Sequence, residues 1–321
     1  MKSSKPTPRI SVVIPAANEA AVIARVLKEL QALELDDLEV IVVDDGSTDG
    51  TAEVARAHGA QVVRHPYNIG NGAAVKSGLR RARGRIVVLM DGDGQHRPSD
   101  IPLLVRDLED YHMVVGSRAM SGQAGWLRLL ANQVYNRFAS YVTQFRVEDL
   151  TSGFRAIRRA EAVRFIDLLP NTFSYPTTLT LAFLRSGLAV RYVPITVARR
   201  VGRSKIRLWE DGTRFLLIIT KIATLFAPFR VFLPVSGSFF LTGLGYYLYT
   251  YLTANRFTNM ALLLFTTAVI IFMMGLVSEQ IALLRMERLT TSASGDSTGA
   301  EEQQRDPDER AQSRPLRRIS T

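Results

Sequence analysis

Two aspartates with a single residue between them, Asp91 and Asp93, follow a short apolar run, and Gln95 comes two residues later. In extended backbone, residues two apart point to the same side, so both carboxylates could grip one cation. Carboxylate and amide oxygens suit Mg²⁺ and Mn²⁺, which proteins usually share with substrate phosphates. An acidic turn is the plainer alternative, because Asp-Gly favours turns.

A second acidic pair, Asp44 and Asp45, follows another apolar run and precedes Ser47. These residues could cap a helix N-terminus. At the mouth of the same sheet they could instead accept hydrogen bonds from a nucleobase or a ribose. The presence of two acidic pairs at two strand ends favours a metal-dependent nucleotide site.

The acidic pairs belong to a region of alternating strands and helices that covers the first two hundred residues. The predicted strands are 10–15, 39–43, 61–64, 85–90 and 112–115. Continuous apolar strands separated by helices predict a mainly parallel α/β sheet covered on both faces. Ligands bind such sheets at the carboxyl ends of the strands, where the polar clusters of this chain fall.

The composition excludes several classes of site. The 321 residues include no cysteine, so disulfide scaffolds, thiolate zinc sites and cysteine nucleophiles are ruled out. Lys and Arg number 40 against 30 Asp and Glu. Much of this excess lies in residues 197–230, a run typical of binding to nucleic acid or to an anionic membrane. The apolar segments that follow favour the membrane and argue against nucleic acid.

Residues 231–253 and 257–278 carry no charge. Each stretch exceeds the roughly 20 residues with which an α-helix crosses a bilayer. The short connection predicts a tight transmembrane hairpin with both ends on one side. Since the flank before it is basic, we expect a multi-pass protein of the inner (plasma) membrane whose catalytic domain and termini are cytoplasmic.

The predicted organisation has five parts. It consists of an N-terminal extension 1–9, a catalytic domain 10–206, an amphipathic juxtamembrane helix 207–230 in the headgroup layer, a membrane hairpin 231–284 and a disordered tail 285–321.

Five segments, in this order, carry a family resemblance: residues 11–19, 42–50, 68–75, 91–96 and 149–155. With the membrane arrangement, the chain resembles family 2 glycosyltransferases of the GT-A fold, and more narrowly the polyprenyl-phosphate glycosyltransferases, the dolichol-phosphate mannosyltransferase group. The resemblance implies transfer of a sugar from a nucleotide-diphosphate sugar to a membrane polyprenyl phosphate, with inversion and with Mg²⁺ or Mn²⁺. The base stays open, since many relatives have a tyrosine at the position of Ala17. The sugar stays open, since a pocket's choice of sugar rests on a few hydroxyl contacts.

The resemblance also implies roles for individual residues. The metal ligands are Asp91, Asp93 and Gln95, of which Asp93 also counts as catalytic. The donor pocket comprises Pro15, Asn18, Glu19, Asp44, Asp45, Lys76 and Asp91.

The acceptor phosphate is anionic and needs cationic or polar partners. The candidates are Arg118, Arg128, Asn132, Arg203 and Lys205. Asp149 occupies the acidic position that the family places near the acceptor. Because a phosphate is already largely ionised at pH 7, we expect Asp149 to orient the nucleophile or Arg155 rather than to abstract a proton.

Four other functions are compatible with parts of the sequence. A processive polysaccharide synthase would carry a Gln-x-x-Arg-Trp segment and more membrane helices, and a nucleotidyltransferase a Gly-x-Gly-x-Arg loop; the sequence has neither feature set. A non-enzymatic membrane scaffold and a glycosyltransferase with a non-lipid acceptor remain as alternatives. Small residues in the first membrane segment also leave a homo-oligomer open.

Overall fold

The computed structural model describes residues 9–33, 35, 37–118, 126–172, 174–197, 224 and 226–304. Its strands are β1 Ile10–Ala16, β2 Leu38–Asp44, β3 Gln61–Arg64, β4 Ile86–Leu89, β5 Met113–Arg118, β6 Arg155–Arg158 and β7 Val190–Ile195. Its α-helices are α1 Ala20–Gln31, α2 Thr51–Ala57, α3 Asn71–Arg81, α4 Ile101–Arg106, α5 Trp126–Thr143, α6 Arg159–Arg164, α7 Tyr175–Arg185, α8 Pro228–Ala254 and α9 Asn259–Gln304.

The seven strands form one sheet in the order β3-β2-β1-β4-β6-β5-β7. Strand β6 is antiparallel to both of its neighbours, and the other pairs are parallel. The mainly parallel α/β sheet predicted from the sequence is therefore confirmed. Because Leu89 at the end of β4 pairs with Arg155 at the start of β6, the segment before β6 reaches the carboxyl edge of the sheet.

Adjacent residues of the strands pack on opposite faces of the sheet. On one face Val13 lies in a core with Leu79 of α3. On the other, Ile14 lies in a core with Val26 of α1. Burial on both faces accounts for the continuous apolar sequence of these strands. Because β2, β1 and β4 are parallel neighbours in the sheet, their carboxyl ends lie side by side.

A buried carboxylate, Glu39 of β2, stabilises the opposite edge of the sheet. It accepts hydrogen bonds from Ser11 Oγ at 2.5 Å and from the backbone N–H of Arg83 at 2.6 Å. Burial disfavours its charge, but these hydrogen bonds and the Arg83 guanidinium outweigh burial and lower its pKa. Glu39 thereby ties β1 and β2 to the turn before β4.

We expect Glu39→Gln to lower the free energy of unfolding at pH 7 by about 2 kcal/mol, because charge-assisted hydrogen bonds are lost in a buried site. A lowered pKa contributes stability above the unfolded-state value of 4.5, and that stability is lost as the pH falls through the folded-state value. The difference in thermal unfolding between wild type and variant should therefore narrow as the pH falls below 4.5. Glu53→Gln, at an exposed carboxylate, is the control. An equal deficit at pH 3 and pH 7 would contradict this account.

The C-terminal hairpin consists of α8 and α9, which pack along each other. Ser236 Oγ donates to the carbonyl of Ala268 at 2.8 Å, and Gly243 allows close approach of Leu264. Pro228–Ala254 and Asn259–Arg285 are long and apolar enough to cross a membrane.

Two predicted boundaries differ from the structure. Helix α8 begins at Pro228, before the predicted start at 231, and α9 continues to Gln304, where a disordered tail from 285 was expected. Residues 207–223 of the predicted juxtamembrane helix lie outside the described residues.

Candidate functional site

The loops after β1 and β2 are joined by hydrogen bonds. The N–H of Asn18 donates to Ser47 Oγ at 2.9 Å, and its Oδ1 accepts from the N–H of Thr48 at 2.9 Å. The N–H of Glu19 donates to Thr51 Oγ1 at 3.0 Å. Asn18 has a φ of 60°, a left-handed conformation that asparagine tolerates. The two loops thus form one wall at the carboxyl edge, where Asn18 and Glu19 were predicted to bind the donor.

Asp45 is buried and directs its carboxylate to the loop before α3. Its oxygens accept hydrogen bonds from the N–H groups of Ile69 at 3.0 Å and Gly70 at 2.8 Å. His65 Nδ1 lies 2.7 Å from the same carboxylate. These contacts hold the loop before α3 against the end of β2, so Asp45 shapes the wall of the predicted donor pocket.

Asp44 and Pro15 are also buried at the ends of their strands. Asp44 Oδ1 accepts from the N–H of Ser47 at 2.9 Å, and Oδ2 lies 3.3 Å from Arg64 Nε without a hydrogen bond. The carboxylate of Asp44 therefore shapes the turn after β2.

Lys76, on α3, contacts the segment before α7. Its Nζ donates to the carbonyl of Leu169 at 3.2 Å and to Oδ1 of Asn171. Lys76 thus joins α3 to this segment, and its ammonium group lies at the exposed side of the helix rather than in the core.

Asp91 lies just beyond β4 and is enclosed by the segment before β6. Its Oδ2 is 3.7 Å from Nε2 of the buried His96, whose ring stacks on Phe154 at 5.0 Å. Burial disfavours ionisation of Asp91, but the neighbouring His96 ring and the charge of Arg118 lower its pKa. A Cβ added to Gly153 would lie only 2.5 Å from Asp91 Oδ2. The carboxylate is thus held ionised in a close-fitting site.

The carboxylates of Asp91 and Asp93 both interact electrostatically with the guanidinium of Arg118. Asp93 Oδ1 also accepts from the N–H of Gln95 at 3.1 Å. Within the described ranges, no group of three or more His, Asp or Glu residues could hold a metal ion. Two carboxylates and an amide oxygen fit a hard divalent cation that takes further oxygen ligands from a substrate phosphate.

Gly153→Ala tests this enclosure. The new methyl group must displace the Asp91 carboxylate, and displacement of a ligand by about 1 Å costs on the order of 10²-fold in rate. We expect unchanged thermal stability, lower turnover and a higher metal concentration for half-maximal activity. Gly245→Ala is the control variant, because nothing lies within 4 Å of its added Cβ and the residue lies within helix α8, away from the site. Normal turnover and metal dependence in Gly153→Ala would contradict the described packing.

Arg118 and Asp149 form a two-point ion pair at the same edge. Arg118 Nε lies 2.8 Å from Oδ2 of Asp149, and Nη2 lies 2.9 Å from Oδ1. Burial disfavours both charges, but their mutual contact raises the pKa of Arg118 and lowers that of Asp149. A carboxylate held ionised in this way is a weak proton acceptor.

Arg155 does not pair with Asp149, which the sequence analysis considered as its partner. Its guanidinium is buried and donates to the carbonyls of Ser152 and Pro176 and to Thr180 Oγ1. The hydrogen-bonded partner of Asp149 is Arg118, which the sequence alone did not pair with it.

The remaining acceptor candidates are only partly described. Arg128 and Asn132 lie on α5, one helical turn apart along the chain. Arg203 and Lys205 lie outside the described residues. His96 and Gly153 also line the site. The sequence analysis did not assign them a role, although they lie in segments 91–96 and 149–155, which carry the family resemblance.

A mainly parallel sheet of this topology, with an acidic site at the end of β4, is the arrangement of GT-A glycosyltransferases. Residues 11–164 match the family described as Glycosyl transferase family 2, and residues 227–284 match the GtrB C-terminal hairpin. The chain belongs to glycosyl transferase family 2 and carries an apolar two-helix hairpin as its membrane anchor.

Two relatives are the polyprenol monophosphomannose synthase of Mycolicibacterium smegmatis and the undecaprenyl-phosphate mannosyltransferase of Micrococcus luteus. Each is 30% identical to this chain. The matches cover 63% and 62% of this chain, and 82% and 87% of the respective relative. The glucosyl-3-phosphoglycerate synthase of Mycobacterium tuberculosis, solved with Mn²⁺, UDP-glucose and phosphoglyceric acid, is 27% identical with a TM-score of 0.55. The match covers 67% of this chain and 80% of that one.

Proposed function

We propose that this protein transfers a sugar from a nucleotide-diphosphate sugar to polyprenyl phosphate at the cytoplasmic face of the membrane, in a metal-dependent and inverting reaction. The observation that carries this proposal is the combination, in one chain, of an acidic pocket at the end of β4 and an apolar hairpin. The names of the two relatives, both polyprenyl-phosphate mannosyl enzymes, support the acceptor class.

The donor is proposed to lie along the wall formed by the loops after β1 and β2, with its diphosphate at Asp91, Asp93 and Gln95. These three residues would hold Mg²⁺ or Mn²⁺. The cation, when bound, neutralises charge on the departing diphosphate as a Lewis acid. The Mn²⁺ and UDP-glucose held by the solved relative support this placement.

In the transfer step, an oxygen of the acceptor phosphate attacks the anomeric carbon as the bond from that carbon to the diphosphate oxygen breaks. The electron pair of that bond leaves with the nucleoside diphosphate. Since the acceptor phosphate is already largely ionised near pH 7, no general base is needed. Asp149 instead holds Arg118, whose guanidinium supplies positive charge near both anionic groups.

The orientation of the chain follows from its charges. Eight Lys and Arg residues against two acidic ones lie between residues 197 and 230, directly before the hairpin. The positive-inside rule therefore supports a cytoplasmic catalytic domain. Arg203 and Lys205 lie in this run and are proposed to attract the lipid phosphate, with Arg128 and Asn132 of α5 as further contacts.

The proposal is tested by incubating purified protein in detergent with Mn²⁺, labelled nucleotide sugars and undecaprenyl phosphate. We expect one donor to give a lipid-extractable, acid-labile sugar product that disappears when EDTA is added. A parallel reaction with 3-phosphoglycerate tests a soluble acceptor, because the solved relative holds phosphoglyceric acid. Transfer to the soluble acceptor alone would overturn the lipid assignment, and no transfer across a full donor panel would favour a scaffold.

A further inference from the structure

We propose that the membrane hairpin positions Asp149 through helix α5, so that the anchor forms part of the acceptor side of the site. This inference rests on the proposed function for its catalytic consequence, but the contacts that carry it do not. The relevant contacts join α8, α9, α7 and α5. They involve Arg185, Phe229, Arg230, Glu279 and the last turn of α5.

The first contact caps α5. Arg230, in the first turn of α8, donates from Nη1 to the carbonyls of Tyr141 at 2.9 Å and Val142 at 2.7 Å. These carbonyls belong to the last turn of a helix, where they have no partner within the helix and the dipole favours a cation. Ala227 and Val142 are buried against each other beside this contact. The hairpin therefore fixes the C-terminus of α5.

The second contact fixes α8. Glu279 of α9 lies 3.2 Å from Nη2 of Arg185 at the end of α7, and it accepts from the N–H of Phe229 at 3.1 Å. A carboxylate near the end of an apolar membrane helix is costly unless it is paired. Here one carboxylate joins both hairpin helices to the catalytic domain.

The third contact leads from α5 to the site. The side-chain amide of Asn136 holds the backbone on both sides of Asp149. Its Nδ2 donates to the carbonyl of Glu148 at 2.5 Å, and its Oδ1 accepts from the N–H of Leu150 at 3.1 Å. One turn further along α5, Ser140 Oγ accepts from the N–H of Val147 at 2.9 Å. The loop that carries Asp149 is thus bound to α5 by side chains rather than by strand pairing.

These contacts form an unbroken series from the hairpin to the ion pair of Asp149 with Arg118. Helix α5 is one rigid element, so its position at the Arg230 end sets its position at Asn136. A small displacement of Asp149 would move Arg118, its two-point partner on the acceptor side of the site. Asn136 and Arg230 are therefore positioning residues.

The test uses the full-length protein in detergent and the variants Arg230→Gln and Asn136→Ala. Hydrogen exchange measured by mass spectrometry reports on residues 147–151, whose amides depend on α5. We expect exchange there to be about tenfold faster in both variants. We also expect kcat/KM to fall about tenfold for undecaprenyl phosphate and for a short-chain, water-soluble polyprenyl phosphate. Binding of the nucleoside diphosphate with Mn²⁺ should not change.

Arg106→Gln is the matched control, because Arg106 ends α4 and pairs with its neighbour Asp107 at the surface. Unchanged exchange in 147–151 of Arg230→Gln would overturn the inference, whatever the activity. A defect confined to undecaprenyl phosphate, with normal use of the short-chain acceptor, would also overturn it, since the hairpin would then act only as an anchor. An equal loss of donor binding would mark a general folding defect and overturn it too. Faster exchange in a protein whose wild type transfers no sugar to either lipid would refute the proposed function and leave the positioning role standing.

Discussion

Replacing Asp93 with alanine is expected to abolish metal-dependent sugar transfer, with a fall of about 10³-fold or more, because the loss of a cation's charge stabilisation costs several kcal/mol. Asp93 supplies one of two carboxylates in a site where the described residues offer no third acidic or histidine ligand. With one of its two carboxylates removed, the site should bind Mn²⁺ poorly even with the nucleotide present. Initial rates over a Mn²⁺ titration measure the effect.

The matched control for this prediction is Asp110→Ala, which removes an exposed carboxylate just before β5. It should retain wild-type rates at every metal concentration. Asp93→Asn should lie between the two, since an amide oxygen is a weaker ligand than a carboxylate. Normal transfer by Asp93→Ala in excess Mg²⁺ or Mn²⁺ would mean that the metal assignment is wrong.

The second large effect is expected for Asp149→Asn. The substitution keeps the shape but leaves the half-buried Arg118 without its counter-charge, and misplacement of such a group costs on the order of 10²-fold in kcat/KM for the acceptor. Because the pKa of Asp149 is lowered below its ordinary value of 3.8, the carboxylate is ionised throughout the neutral pH range. The pH profile of the variant should therefore be lower than that of wild type but of the same shape between pH 6 and pH 9.

Arg118→Lys provides the paired measurement for Asp149→Asn. A lysine keeps the charge but cannot reproduce the two-point contact, so the defect should fall on the acceptor and not on binding of the nucleotide. If the variant Asp149→Asn lost a titration step near neutral pH, Asp149 would be a general base. Near-normal turnover would remove Asp149 from the mechanism.

The sequence sufficed for the elements whose side chains repeat a simple pattern. Strand β1 and helix α1 follow from β-branched runs and helical spacing, and the hairpin follows from two uncharged stretches. Strand β6 was not predicted, because Arg-Ala-Ile-Arg has no apolar pattern. Its burial depends on the distant carbonyls and hydroxyl that satisfy Arg155.

The candidate site likewise has residues that the sequence predicts and contacts that it does not predict. Asp91 and Asp93 could be identified because their spacing is local. The partners of Asp45, by contrast, lie in the loop before α3, and the partner of Asp149 lies in β5. Such contacts arise from the order of the strands. As a result, some residues predicted to contact the donor, such as Asp45, use their carboxylates to hold the loops in place.

In the proposed reaction, a divalent cation at Asp91 and Asp93 binds together with the nucleotide. Electron paramagnetic resonance of free Mn²⁺ measures this directly in wild type and Asp93→Ala. With UDP or GDP present, wild type should bind one Mn²⁺ at least tenfold more tightly than without the nucleotide, because the diphosphate completes the ligand set. Asp93→Ala should lose this gain. Equal Mn²⁺ affinity with and without either nucleotide in wild type, or an unaltered gain in the variant, would contradict the account.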